Sequence, residues 1–400
     1  MKRSISILNL ILINLIIGRT SLSNNGLNYK EPESVKQFFR DPGVTIPTPS
    51  IEGGRSEFTT QKEMLDYLGN IHTTSNTTVV DLLGPTDNKN YLPVFLISKD
   101  KSLTFKDIHE TAVDGKPIVM LIAQQHGNEP MGCDTLLATV KRVAKGDLNY
   151  ILNRVNIIVM PRINPDGAKK FTRESGEKID INGDHSALVS VEAQAVSYIY
   201  NKFKPEVFID IHEYISDLNS YSHILSGGAV PYYDLLILNP TNPNYSKSLK
   251  EVSDKTLLQL KETLKQNGYT SNYYYNPFIK PKKGEPLTLY RATGSAKLAR
   301  NNYGLKGSLS YLIELRGRQI GFENVRRRLK SGMLSVEILL KDTYANSDRI
   351  KKVVENEKNR PHNSEKISSE IVKEKSSIEL IDTNMGQVVS QPALIIREKM

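Results

Sequence analysis

Cysteine is nearly absent from this chain: Cys133 is the only one in 400 residues, so no intramolecular disulfide can form. Without such crosslinks the fold must rest on its core, and a hydrophobic fraction of 38% at this length can supply one. Concentrated charge is missing too. The net charge of +9 is mild for the length, and no basic stripe with interleaved aromatics occurs, which argues against a nucleic-acid partner. There are no internal repeats. The longest apolar run, residues 5–17, is broken by Asn9 and Asn14 and is too short for a membrane span.

What that run does have is context. Lys2 and Arg3 precede it and Ser21 and Ser23 follow it, the order of a signal peptide over residues 1–23. The expectation is an exported protein, periplasmic or secreted, with no stable membrane insertion after cleavage. No cysteine follows the run, so a lipid anchor is not expected. Loss of Lys2, Arg3 and Arg19 takes the net charge from +9 to +6.

Residues 24–54 contain Pro, Gly and Ser without a sustained period and read as an extended leader. Residues 55–345 read as one α/β domain. Buried strands are expected at 78–83, 91–98, 117–123, 156–160, 207–214 and 310–316, where short apolar or β-branched runs are bounded by turn residues. Helices are expected from Thr60, whose spacing to Glu63 forms a capping box, and at 130–143, 189–203, 247–266 and 323–344. Cys133 falls on the second of these as a packing residue. The stretch from Pro161 through Gly167 to His185 reads as loop, and the tyrosine-rich 272–278 as loop packing. Residues 346–377 turn to Lys, Glu, Ser and Asn, a charged helix or linker. Residues 378–400 regain β character.

Several of these strands end in polar groups. His126 and Glu129 follow the strand at 117–123, His212 ends the strand at 207–214, and Glu314 sits in the last one. Ligands of open α/β sheets bind beyond the carboxyl ends of strands, so these side chains are expected to share one crevice. Two imidazoles and a carboxylate match a catalytic zinc site with one position left for water. His126, Glu129 and His212 are therefore the expected ligands of a single Zn2+ ion.

With these residues stands an ordered set: His126 with Glu129, then Asn164-Pro165-Asp166-Gly167, Arg173, Asn182, His212, Tyr290 and Glu314-Leu315-Arg316. In that order the chain resembles the zinc carboxypeptidase family (carboxypeptidase A-like) over residues 55–345. The resemblance implies a mixed, mostly buried central β-sheet flanked by helices, with a short C-terminal extension. It also implies a metallocarboxypeptidase acting on a peptide or peptide-like substrate. Glu314 would be the general base, Arg173 would face the oxyanion, and Asn182 and Tyr290 would contact substrate, Tyr290 from a mobile loop.

One departure bears on substrate. The family pairs Asn with Arg to grip a C-terminal carboxylate, whereas Asn182 here precedes Gly183. Loss of such a charge-assisted contact weakens binding roughly ten- to a hundredfold. Arg162, Arg291 and Lys297 are candidate replacements, and Lys297 would favour an acidic terminal residue if it lined the pocket. A zinc amidohydrolase of N-acyl amino acids and a non-catalytic binding protein on the same scaffold are the alternatives.

Overall fold

Alternation inside apolar runs sets the centre of the molecule. In the computed structural model, β1 (Thr78–Leu83), β2 (Leu92–Ile97), β3 (Ile118–Ala123), β4 (Asn156–Met160), β5 (Val207–Ile215), β7 (Leu235–Leu238), β8 (Ser271–Tyr273) and β11 (Leu309–Arg318) form one sheet. Its order is β1-β2-β4-β3-β5-β11-β7-β8. The middle strands β4, β3, β5 and β11 run parallel, β1 and β2 pair antiparallel with their neighbours, and β7 is antiparallel to β11 but parallel to β8. Residues 29–399 are described, except 53–54, 56, 100–107, 109–113, 222–223, 226–227, 280–286 and 359–369. The expected signal peptide lies outside them. No helix among the described residues is long and apolar enough to cross a membrane.

β3 shows why the sheet is buried on both faces. Val119, Leu121 and Ala123 enter one apolar cluster, while Ile118, Met120 and Ile122 enter another. Helices Met131–Lys145, Lys247–Gln266 and Val325–Ala345 contribute to the first cluster, and Val191–Phe203 and Ala299–Leu305 to the second. A strand covered on both sides needs the continuous apolar run that its sequence has. Helix Gln61–Thr73 starts with the expected capping box: the Thr60 hydroxyl accepts from the Glu63 N–H, and the Glu63 carboxylate accepts from the Thr60 N–H. Cys133 is buried in the first cluster.

Four stretches depart from expectation. Within the loop expected after β4, Pro165–Lys170 is a short helix, because Pro165 stands at its first turn and the Asn164 side chain caps it by accepting from Gly167 N–H. The tyrosine-rich stretch is not loop packing but β8 followed by β9 (Tyr275–Ile279). The charged segment carries a helix at Ser347–Lys358, and β12 (Glu370–Asp382) begins inside it. β12 then turns into β13 (Gln387–Lys399), and the hairpin joins β6 (Ala229–Pro231), β9 and β10 (Leu287–Arg291) in a second sheet, ordered β6-β12-β13-β10-β9. The C-terminal stretch is thus part of a five-stranded sheet rather than a short appendage.

The leader, too, is more than extended chain. Glu31 is buried against Arg316 and Asn324, and the helical turn Glu33–Lys36 brings Ser34 Oγ to the Thr383 carbonyl at 2.7 Å. Val35 and Phe39 pack with Val230 and Ile381 under the hairpin.

Candidate metal centre

The centre is assembled from the loop after β3, which the Asn164 region holds in place, and from strands β5 and β11. β3 ends at Ala123, and the chain beyond it stays paired to the chain after β4 through Ile163 N–H to Ala123 O and Asn164 N–H to Gln124 O, both 3.0 Å. The Asn164 amide donates to the carbonyls of Gln125 and Arg173, each at 3.1 Å. One side chain thus ties the His126 loop to the Arg173 loop. Gly127 passes so close to Gly167 that an added Cβ would lie 2.0 Å from the Gly167 carbonyl carbon. The glycine serves this close approach of two backbones, rather than a tight turn.

His126, Glu129 and His212 come together as a buried group whose potential ligand atoms all lie within 4.8 Å of one another. His126 Nδ1 is 2.9 Å from Glu129 Oε1, His212 Nδ1 is 2.9 Å from Glu129 Oε2, and the two Nδ1 atoms are 3.0 Å apart. The far nitrogens are occupied. His126 Nε2 lies 3.2 Å from Asp180 Oδ1, and His212 Nε2 lies 2.9 Å from Asp210 Oδ2. With a cation at the Nδ1 atoms, each imidazole would keep its one proton on Nε2, where Asp180 and Asp210 accept it. Two Nδ1 lone pairs and a carboxylate would then face the cation together. Such a donor set suits a cation of the zinc class.

The surrounding electrostatics bind the three groups to one another. Burial opposes ionisation of Glu129, yet His126 and His212 hold its pKa well below the usual carboxylate range. Burial disfavours a charged His212, but Asp210 and Glu129 raise its pKa well above the usual value. Asp210 is itself steadied by Gln125 Nε2 at 2.7 Å, and Gln125 Oε1 by His185 Nε2 at 2.6 Å. Glu213 faces away from the centre: one oxygen accepts from Met131 N–H at 2.6 Å and the other from buried Arg328 at 2.6 Å, fixing the helix that follows Glu129.

Glu314 of β11 is paired with His212 of β5 and is buried. Burial pushes its carboxyl up to about 8, against the attraction of His212. Arg173 donates to Asp180 Oδ2 through Nε at 3.1 Å and Nη2 at 3.0 Å, and its Nη1 lies 3.6 Å from Glu129 Oε1. Asn182 Oδ1 accepts from the Ala299 N–H at 3.0 Å, and a Cβ at Gly183 would meet only open space.

Other expected residues lie elsewhere. Tyr290 is on β10, paired to β9 and β13, rather than on a loop, and lines a cavity that none of the metal-group residues lines. Arg162 is buried and donates to Thr59 O and Gln124 Oε1, each at 2.6 Å, as a structural tie. Lys297 is exposed, and Arg291 lines the same cavity as Tyr290. A further cation, Arg300, which the sequence did not single out, is attracted by Glu314 and Asp210. It is buried, its Nη2 bonds Thr241 Oγ1 and Thr293 O, and its Nε has no partner among the described residues. Burial lowers its pKa to about 10, while Tyr274, Glu314 and Asp210 attract its charge. Asp210 and Asp180 were also missed. A period-2 reading of β5 puts Asp210 on the His212 face, a signal that was available.

The zinc carboxypeptidase family model matches residues 64–331. Carboxypeptidase 2 of Trichophyton equinum is 26% identical over 236 residues, 58% of this chain and 42% of the relative. Carboxypeptidase D of Homo sapiens is 26% identical over 185 residues, 43% of this chain and 12% of the relative. The chain thus spans less than half the length of these curated relatives. Among solved structures, the carboxypeptidase A from Helicoverpa armigera superposes with a TM-score of 0.54 at 14% identity, covering 73% of this chain and 75% of that one. A metallo-carboxypeptidase from Burkholderia cenocepacia gives 0.52 at 19% identity, covering 72% and 70%. At those identities the likeness is one of fold.

Proposed function

Because the chain belongs to the zinc carboxypeptidase family, we propose that it is an exported zinc-dependent carboxypeptidase, hydrolysing a peptide or peptide-like amide at the free C-terminus of its substrate. The observation that carries this reading is the buried set of potential ligand atoms on His126, Glu129 and His212, all within 4.8 Å of one another, with Glu314 directly across from His212. One zinc ion held by His126, Glu129 and His212 would supply an acidified water and a polarised carbonyl.

The chain's own groups do the rest. Glu314 takes a proton from the attacking water and passes it to the leaving amine. Arg173, anchored by Asp180, sets a fixed positive charge against the developing oxyanion. In place of the arginine missing at Gly183, the unpartnered Nε of Arg300 and the amide of Asn182 receive the terminal carboxylate. The two are linked through the hydrogen bond that the N–H of Ala299, the neighbour of Arg300, donates to Asn182 Oδ1. Export rests on the basic start and apolar run of residues 1–23.

The test offers zinc-loaded protein three substrate sets: peptides with a free C-terminus, the same peptides amidated, and N-acyl amino acids. Release of the terminal residue from the free peptides alone is expected. Cleavage confined to N-acyl amino acids would make the protein an amidohydrolase, and no cleavage with zinc bound would make it a binding protein.

A further inference from the structure

A cavity of about 800 Å³ lies between β7, the helix Lys247–Gln266 and the second sheet, and no residue of the metal group lines it. Its wall breaks a rule of sheet design. β10 and β13 are parallel with Tyr290 opposite Ile396, so the next register position sets Arg291 beside Arg397, and both line the cavity. Like charges side by side on neighbouring strands are destabilising. Arg397 is compensated by Glu374, and the other cation of the wall, Lys250, by Asp254 at 2.7 Å. Arg291 makes no ion pair within 4.0 Å among the described residues, although Glu374 and Asp254 attract its charge from further off. Its guanidinium lies over the Tyr273 ring at 4.9 Å and its buried Nε is unbonded. Burial and the neighbouring Arg397 lower its pKa. Lys261, over the same ring at 4.6 Å, adds further positive charge behind it.

The rim is as unusual as the wall. Leu258, Tyr290 and Ile371 are three of the large apolar side chains left exposed by the described fold, and all three border this one cavity. An unpaired arginine ringed by exposed apolar groups fits a ligand that brings a carboxylate together with apolar surface.

We propose that this cavity is a second binding site, taking an acidic peptide segment whose carboxylate side chain meets Arg291 and whose apolar flanks rest on Leu258, Tyr290 and Ile371. The volume lies within the usual range of ligand pockets, ~300–1,000 Å³. β12 and β13 contribute Ile371, Glu374, Ile396 and Arg397, and both strands lie beyond residues 64–331, the stretch matched by the family. The site therefore does not depend on the hydrolytic reading.

The probe is a tetrapeptide of two glutamates between two leucines, N-acetylated and C-terminally amidated so that it offers no free terminus to the metal centre. Titration calorimetry on the zinc-loaded full chain is expected to show binding that weakens at least tenfold in Arg291→Gln, recovers in part in Arg291→Lys, and is unchanged in Glu314→Gln. The matching peptide with glutamines is expected to bind at least tenfold more weakly to the unaltered protein, a comparison that needs no folded variant. Three results would each overturn the proposal: no binding of the glutamate peptide, equal binding of both peptides, or a site that takes inorganic phosphate equally well, which would mark it as a free-anion site.

Discussion

Glu314 and His212 are partners in register on the adjacent parallel strands β11 and β5, so the expected base and an expected ligand emerge side by side from one sheet. Replacing Glu314 by Gln keeps the shape and removes the basicity. Amide hydrolysis should fall by about 10²–10⁴-fold, the usual contribution of a general base. Zinc content, measured on the same sample, should not change; loss of the ion together with activity would make Glu314 a metal-site residue instead.

Asp210 and Asp180 never touch the ion in this scheme, yet they fix which imidazole nitrogens are free to bind it. Asp210→Asn and Asp180→Asn should each weaken zinc affinity about 10–100-fold, as partners of ligating histidines do. Competition with a chelator of known affinity reads this out. Unaltered affinity in both would remove the tautomer argument.

Gly127 has backbone, not a flexible side chain, where its Cβ would go. Gly127→Ala should therefore displace the His126 loop, lower stability by about 1–3 kcal/mol and abolish tight zinc binding. Gly69, on helix Gln61–Thr73 with nothing near its Cβ position, is the control. Gly69→Ala should raise stability by up to about 1 kcal/mol and leave zinc binding intact. Denaturant melts and metal analysis decide both.

Glu192 carries a pH dependence of its own. Burial lifts its carboxyl from 4.5 to about 7, with Asp166 and Glu177 adding to the effect. Its folded form thus holds a proton more tightly than its unfolded form, and the stability it contributes is present below pH ~4.5 and lost as pH rises through ~7. Glu192→Gln should remove this slope, so its melting temperature should exceed that of the unaltered protein more at pH 8 than at pH 5. A constant difference would show that Glu192 titrates normally.

The metal centre was legible in the sequence because its donors sit where local patterns change. His126 and His212 each follow an apolar run that can only be a buried strand, and strand ends of an α/β sheet share one crevice. Arg300 was not legible: an arginine in a short helix looks like any surface residue until tertiary packing buries it. The second sheet was hidden for a related reason. β6 has three residues and pairs with β12 about 150 positions later, a contact no local period records. Tyr290 was therefore read as loop when its strand partners, β9 and β13, could not be foreseen.

The buried pairing of Glu31 with Arg316 spans 285 positions, and Ser34 reaches Thr383 across 349. Contacts so distant along the chain bear the loop-closure cost that slows folding. The leader, synthesised early, therefore has nothing to dock on until β11 and the β12–β13 hairpin exist, and its locking reports that the far end of the chain has arrived. Cleavage of the leader by a protease during refolding would time the last step of assembly, not the first.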